Sequence, residues 1–284
     1  MRLRKLGAVL GTIGGRLTGT DLADPGTLLN PARHLRSLDD AGLRRAVRAR
    51  LLSVPLGDGR VLCRALGRYK LTVPQDDAVF GPQLLRDGGA AFGLMRLLAR
   101  LLRPGMVAVD AEAGFGYPAV LMADLVGQDG RLHAAEGDPD RAGLLRRNLS
   151  INGLAARCTV HEATASSLGE LMFPASAPGP HKGRRLPPPL PVRRLASLDD
   201  LVPGRADLLR LPANGWVAAW AGMQGLIGRS PGLMVLLPPA AERDAAWLRA
   251  EAEPRFRAQA VLPDGTLARP RAEAAASALL LTAR

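Results

Sequence analysis

From residue 106 onward, apolar positions gather into short continuous runs at Met106–Asp110, Arg131–Ala135, Arg157–Glu162, Ala206–Leu211, Leu233–Leu237 and Ala278–Thr282. Runs of this length, rich in branched and small apolar residues, are the pattern of strands buried on both faces of a parallel sheet. Between them lie segments of helical period: Tyr117–Val126, the stretch after Glu136, Trp216–Ile227 and Ala241–Ala252. Trp216, Trp220, Met223 and Ile227 recur at helical spacing, which predicts a core stripe rather than a substrate clamp. Pro263-Asp-Gly265 marks a tight turn between two further strands. Strands alternating with helices over about 180 residues predict an α/β sheet.

Upstream the pattern differs. Residues 1–59 read as a helical extension interrupted at Gly14-Gly15, Pro25-Gly26 and Pro31, with Ser37 as the expected N-cap of its best helix. Residues 60–104 read as a hairpin bending near Gly67, then a helix at Ala90–Leu102 that is apolar on one face and carries Arg96, Arg100 and Arg103 around the other. Residues 105–284 form the sheet domain, with a proline-rich surface loop at 173–194.

Composition narrows the classes. No apolar run approaches the roughly 20 residues of a membrane span. The start, Met1-Arg-Leu-Arg-Lys5 and a short apolar piece, lacks a small-x-small cleavage site, so a signal peptide is not expected. Cys63 and Cys158 stand far apart without metal spacing, which suits a reduced, cytoplasmic protein, and no metal site is expected. The net charge of +12 is built almost wholly from arginine in an Ala-, Gly- and Pro-rich chain, a pattern of coding bias. Arg44, Arg45, Arg48 and Arg50 could make a basic helix face for an anionic partner. With 4% aromatics there is little to stack on bases, and no specific nucleic-acid partner is expected.

The chemistry concentrates between Arg103 and Gly153, in the order strand, Gly-containing turn, helix, strand, acidic residue, helix. Gly114-Phe-Gly116-Tyr-Pro-Ala119 fits GxGxxA, and Glu136 follows Gly116 by twenty residues, the place of a carboxylate on a ribose. The first strand, however, ends in Asp110, with Glu112 two residues on, so two carboxylates would meet the phosphates of a dinucleotide. A cofactor with a cationic centre and no phosphate suits the loop better, namely S-adenosylmethionine.

Several ordered motifs resemble the FkbM-type S-adenosylmethionine-dependent methyltransferases: GRYKLTVPQDDAVFGPQLLRDGG, LLRPGMVAVDAEAGFGY, GQDGRLHAAEGDPD, LLRRNLSINGL, LASLDDL and LLRLPANGWVAAWAGMQGLI. The resemblance implies a seven-stranded, mostly parallel class I methyltransferase-like Rossmann sheet and O-methylation of a sugar or related small-molecule hydroxyl. It also implies that Asp110, Gly114 and Gly116 line the methionine part of the cofactor, Glu136 holds the ribose and Ala163 sits near adenine. The chain departs from the family in that Glu112 replaces the first glycine of a turn close to DVGANVGYY. At the strand end where the family reads close to KIDVEGAE, Pro212, Asn214 and Val217 stand in place of acids, and Pro238 replaces a later glutamate. Glu112 would either pair with the cofactor ammonium or exclude the cofactor. For a catalytic base the candidates are His161 and Glu162 at a strand end; Asp199 and Asp200 suit a helix cap, and His133 a satisfied core histidine. The alternative reading is a catalytically impaired scaffold protein.

Overall fold

The computed structural model describes residues 27–166, 172–173, 193–238, 248–269 and 278–284. The basic start of the chain, nearly all of the expected proline-rich loop and residues 241–247 of the expected Ala241–Ala252 helix lie outside the described residues.

Helix α1 (Pro31–Ser37) opens with proline in its first turn and the Asn30 side chain accepting from Arg33 N. These features carry it through Ser37, so the cap of α2 (Asp40–Arg48) falls to Asp39, which accepts from Gly42 N at 2.7 Å, rather than to Ser37. The stretch up to residue 59 is also not all helical. Strand β1 (Ser53–Gly57) pairs antiparallel with β2 (Arg60–Ala65), which pairs with β3 (Tyr69–Pro74). The β2–β3 bend puts Leu66 and Gly67 at φ 51° and 66°, in agreement with the expected turn. Helices α3 (Gly81–Asp87) and α4 (Phe92–Leu101) follow. On α4, Arg96 is buried and not on a solvent face: its Nη1 donates to the carbonyls of Leu35 and Leu38 at 3.1 and 2.6 Å, and Nη2 lies 3.1 Å from Asp40. A helix covering that face was invisible to a local periodicity.

The sheet domain runs β4 (Val107–Asp110), α5 (Tyr117–Leu125), β5 (Arg131–Ala135), α6 (Pro139–Ile151) and β6 (Cys158–His161). Short strands β7 (Thr164–Ala165), β8 (Met172–Phe173) and β9 (Arg193–Ala196) make a small separate sheet before α7 (Leu198–Leu201). Then come β10 (Leu208–Arg210), α8 (Trp216–Ala221), α9 (Gln224–Arg229), β11 (Met234–Leu237), β12 (Phe256–Val261), β13 (Leu267–Ala268) and β14 (Ala278–Ala283). The main sheet has the order β13-β12-β14-β11-β10-β4-β5-β6. From β11 to β6 it is parallel, and β14 inserts antiparallel between β11 and β12. This is the class I methyltransferase-like Rossmann sheet, with the short β13 added as an eighth strand at the edge.

Period-two alternation divides the core. Ala108, Leu132, Leu208, Leu236 and Leu280 join α4, α5 and α6 on one face, while Val109, Leu209, Val235 and Leu281 join Trp216, Trp220 and Met223 on the other. The expected helix over 216–227 breaks at Gly222, but its aromatic stripe is core as the spacing predicts.

The hairpin is fastened to the sheet domain by polar side chains. Asn148 is fully buried; its Oδ1 accepts from Thr72 N at 2.7 Å, and its Nδ2 donates to Thr72 O at 3.0 Å and Phe115 O at 2.7 Å. One turn on, Asn152 makes the same pair of bonds with Lys70, at 3.0 and 2.7 Å. Asparagine amides four residues apart thus act as a strand neighbour for β3, satisfying backbone groups that would otherwise be orphaned. The Tyr117 hydroxyl accepts from Ala90 N at 3.0 Å and donates to Ala90 O at 2.8 Å. Together these bonds bring Asp76–Phe80 to the mouth of a cleft at the carboxyl ends of the strands.

Candidate functional site

In an open parallel sheet, ligands bind beyond the carboxyl ends of the strands, where the connections diverge to opposite faces. Here β4, β5 and β10 end in Asp110, Ala135 and Arg210, and a cleft of about 570 Å³ opens beyond them. Glu112, Gly114, Glu136, Thr164 and Arg210 are among its walls.

At one end, Glu136 is held by backbone. Its Oε2 accepts from Gly114 N and its Oε1 from Asp138 N, each at 2.8 Å. Burial raises its carboxyl above the ordinary range, and the N–H groups of Asp138 and Gly114, with Arg141, pull it back. Gly114 has φ 57°, and a Cβ there would meet nothing, so its backbone faces open cleft. Gly116 plays another part: a Cβ on it would come within 2.8 Å of Leu145, so its lack of side chain lets α5 and α6 pack, and it does not line the cleft. Ala163 is fully buried and also off the wall; the neighbouring Thr164 takes that position, with its Oγ1 where a Cβ on Gly137 would fall. Glu136-Gly137 was the signal in the chain that could have found this contact.

At the other end the charged residues satisfy one another. Arg210 and Asp110 are register neighbours on β10 and β4. Arg210 Nη2 and Nε lie 2.6 and 2.9 Å from Asp110 Oδ1, and Asp110 is fully buried. Arg210 Nη2 also donates to the Glu112 carbonyl. The Glu112 carboxylate crosses to the next loop, where its Oε2 accepts from Ala213 N at 2.8 Å. Glu112 therefore lines the cleft and ties the β4 loop to the β10 loop. Arg210 is the residue that sequence reasoning missed, and an arginine in register with a strand-end acid was its only signal.

His161 and Glu162 lie outside the cleft lining. Glu162 receives a two-pronged pair from Arg146 at 3.1 Å. His161 Nε2 is 3.2 Å from His133 Nδ1, with the rings stacked at an interplanar angle of 10°. Burial, with His133 and Arg194 nearby, pushes the His161 imidazole down to about 4. His133 is lowered too, by burial, against a backbone bond at Leu201 that raises it. His161 thus stacks on His133 and Glu162 makes an exposed pair with Arg146, and neither lines the cleft. Asp199 and Asp200 stand in the first turn of α7, whose N-cap is Ser197, and the Asp199 carboxylate caps α9 instead: it accepts from Gly225 N at 2.9 Å and from Leu226 N, and pairs with Arg229 at 3.3 Å. Among the described residues no group of three His, Cys, Asp or Glu is placed to hold a metal ion.

The cleft is electronegative. Asp76, Asp77, Glu112, Glu136 and Asp138 line it against Arg141 and Arg210. Both guanidiniums are already paired, Arg141 with Asp77 at 3.5 Å and Arg210 with Asp110. A second, apolar cavity of about 340 Å³ adjoins it, sharing Arg210 and Ala213 and walled by Leu94, Leu211, Leu237 and Pro238.

No family model matches the chain. It is similar over 61 residues, at 43% identity, to the tRNA wybutosine-synthesizing protein 2 homolog of Danio rerio, covering 20% of this chain and 14% of that protein. Over 131 residues it is 31% identical to the protein-L-isoaspartate O-methyltransferase of Methanopyrus kandleri, covering 40% of this chain and 57% of that one. The chain thus spans little more than half of one of these relatives and a small part of the other. Among solved structures, a methyltransferase FkbM from Methylobacillus flagellatus aligns at 14% identity and TM-score 0.42, covering 68% and 54% of the two chains. An rRNA methylase from Streptococcus thermophilus aligns at 15% and 0.40, covering 66% and 90%.

One expectation is corrected by these relatives. A small-molecule or carbohydrate acceptor, with no nucleic-acid partner, was read from the FkbM resemblance and the scarcity of aromatics. The sequence relatives are instead named for tRNA and for protein. Of the basic face expected at Arg44, Arg45, Arg48 and Arg50, Arg44, Arg45 and Arg48 are exposed, while Arg50 is buried and donates to the carbonyls of Thr27 and Ala46 at 2.5 and 2.9 Å. No described helix is long and apolar enough to cross a membrane.

Proposed function

We propose that the protein is an S-adenosylmethionine-dependent methyltransferase whose acceptor is presented by RNA. The observation that carries the cofactor reading is the electronegative cleft at the β4 and β5 ends, built around Glu136 and the exposed backbone of Gly114. Each Glu136 oxygen accepts one backbone N–H and keeps a lone pair toward the cleft, which suits the two hydroxyls of a ribose. Five lining carboxylates disfavour a phosphate-bearing cofactor and favour one with net positive charge. The ordered motifs shared with FkbM-type enzymes and the names of the methyltransferase relatives support the same cofactor; the family's sugar acceptor is set aside.

When bound, the cofactor supplies an activated methyl group. This chain's own residues position and exclude. Glu136 and Thr164 border the nucleoside end, and the apolar cavity beyond Arg210 and Ala213 gives the acceptor a dry approach. Arg210 is the only charged residue on that cavity's described wall, and an arginine stays protonated, so the cavity provides no general base. An acceptor that must lose a proton before attack, such as an alcohol, is poorly served there. A ring nitrogen of a nucleobase attacks with its own lone pair. Of the two macromolecule classes named among the relatives, the net charge of +12 favours RNA, since an arginine excess attracts a polyanion even where coding bias is its origin.

The test has two stages. Calorimetric titration is expected to give micromolar affinity for S-adenosylmethionine or S-adenosylhomocysteine; no heat at millimolar ligand ends the cofactor reading. Methyl-labelled cofactor supplied with total RNA and, separately, with total protein is expected to label RNA. Label confined to protein would move the acceptor there. Label in neither, with cofactor binding intact, would leave the scaffold reading standing.

A further inference from the structure

We propose that the outer face of the β1–β2–β3 sheet, with the last turn of α2, is a docking surface for the phosphate backbone of RNA. Arg45, Arg48, Arg64, Arg68 and Lys70 carry it. The inference rests on the reading of RNA as acceptor and adds where on the molecule the RNA is held. The cleft itself is a poor holder, because its five lining carboxylates repel a polyanion. The cations that retain the strand must stand elsewhere.

Alternation separates the two faces of this small sheet. Cys63, Ala65, Tyr69 and Leu71 point inward and are buried. The opposite face sets Arg64 beside Lys70 and Val54 beside Leu62, each pair being register neighbours. Like charges directly opposite on an antiparallel ladder are destabilising. Among the described residues no carboxylate pairs with Arg64 or Lys70 to relieve them. Lys70 is exposed and is one of three lysines in the chain, so the arginine bias does not account for it. Arg68 is exposed in the turn two residues before it.

Two further cations reach the same row from α2. Arg64 Nη1 donates to the Arg50 carbonyl at 3.4 Å, just past the helix end. Gly88 allows the close approach: a Cβ on it would lie 3.2 Å from Val47 Cγ1 and 3.4 Å from Arg64 O. Arg45 and Arg48 occupy that last turn of α2, exposed and without an acidic partner among the described residues. A helix C-terminus favours cations by itself, which explains these two but not the Arg64–Lys70 pair. The acids Asp58 and Asp76 stand with Arg60 at the other end of the strands, where a groove shares Asp76 and Asp138 with the cleft. The face is therefore basic at the end away from the cleft. No aromatic side chain lies in its rows, so it grips backbone without stacking on bases. Asn152 bonds the Lys70 backbone to α6, so a strand held there has a fixed position relative to the cleft.

The experiment follows a fluorescein-labelled oligouridylate binding to the full chain by anisotropy over a salt series. Wild type is compared with Arg64→Gln/Lys70→Gln and with Arg205→Gln/Arg257→Gln, which removes two exposed arginines outside this face. Thermal melts verify folding, and Lys70→Gln alone, an exposed change, replaces the first pair if that pair melts early. The Arg64/Lys70 pair is expected to lose about twentyfold in affinity at about 0.1 M salt and to flatten the salt slope by about 1.4. The Arg205/Arg257 pair is expected to lose about twofold. Equal losses in the two pairs would show that net charge alone attracts RNA and would overturn the surface, as would no binding by wild type. Capture of phosphatidylserine vesicles through Arg64 and Lys70, without RNA binding, would make the occupant a membrane and overturn it too. RNA binding that depends on the pair, with no heat from S-adenosylhomocysteine, would leave the surface standing and remove the methyltransferase reading.

Discussion

The two ends of the cleft solve one problem differently. At the nucleoside end a single carboxylate, Glu136, is held by backbone N–H groups of Gly114 and Asp138, and the side chains around it are small. At the far end, charged side chains hold one another: Asp110 with Arg210, Arg210 with the Glu112 carbonyl, Glu112 with Ala213 N. Backbone donors need only a turn and a glycine, so that end can be built locally. A side-chain network needs two loops from strands a hundred residues apart, and it fixes their relative position. The Glu136 end is therefore set by one local turn, while the network ties together loops that are distant in the chain.

Removing the buried cation should have the largest effect. Arg210→Met leaves Asp110 enclosed without a partner and should cost about 3–5 kcal/mol in urea denaturation. Adding Asp110→Asn should restore most of it; a single variant as stable as wild type would show that the two ends do not differ in this way. Next comes Glu136→Gln, which keeps the size but removes the charge from the backbone cradle. It should weaken S-adenosylhomocysteine binding by about tenfold to a hundredfold with little change in melting temperature. A melt shift as large as that of Arg210→Met would erase the contrast.

A pH-dependent effect tests the packing role of the histidine pair outside the cleft. His161 titrates near 4 in the folded chain and near 6.5 when unfolded. As pH falls from about 6.5 towards 4, the unfolded chain takes up the proton first, so wild type loses stability across that window. His161→Phe should remove part of this slope, as read from urea midpoints at pH 7.5 and 5; an unchanged slope would place the acid sensitivity elsewhere. The smallest stability effect belongs to Glu112→Gly. The side chain is exposed and gives up one hydrogen bond, so the change should be about 0.5–1.5 kcal/mol while cofactor affinity falls. A gain in affinity would show that Glu112 obstructs the cleft.

Strands β4, β5, β10 and β11 could be read from the sequence because parallel strands buried on both faces are continuous apolar runs, whereas the short β7, β8 and β9 carry no such run and were not read. The Gly114 turn and Glu136 were equally legible, since their spacing is fixed by one strand-turn-helix-strand unit. Arg96 and β1 were misread because their environment comes from other elements: α1 and α2 cover the arginine, and β2 gives Ser53–Gly57 a partner. His161 and Glu162 looked catalytic because a strand end usually faces the cleft, yet His133 and Arg146 hold them away from it.

By itself, the sequence determined the α/β class, the alternation of β4, α5, β5, α6 and β6, and a phosphate-averse turn carrying Asp110 and Glu112. All of these depend on hydrophobic period and local spacing. Only the tertiary structure decided what the two acids do, because parallel register sets Arg210 beside Asp110 and the meeting of two loops gives Glu112 its partner. Charge at a strand end acquires meaning from its neighbours across the sheet, and those neighbours are distant in the chain.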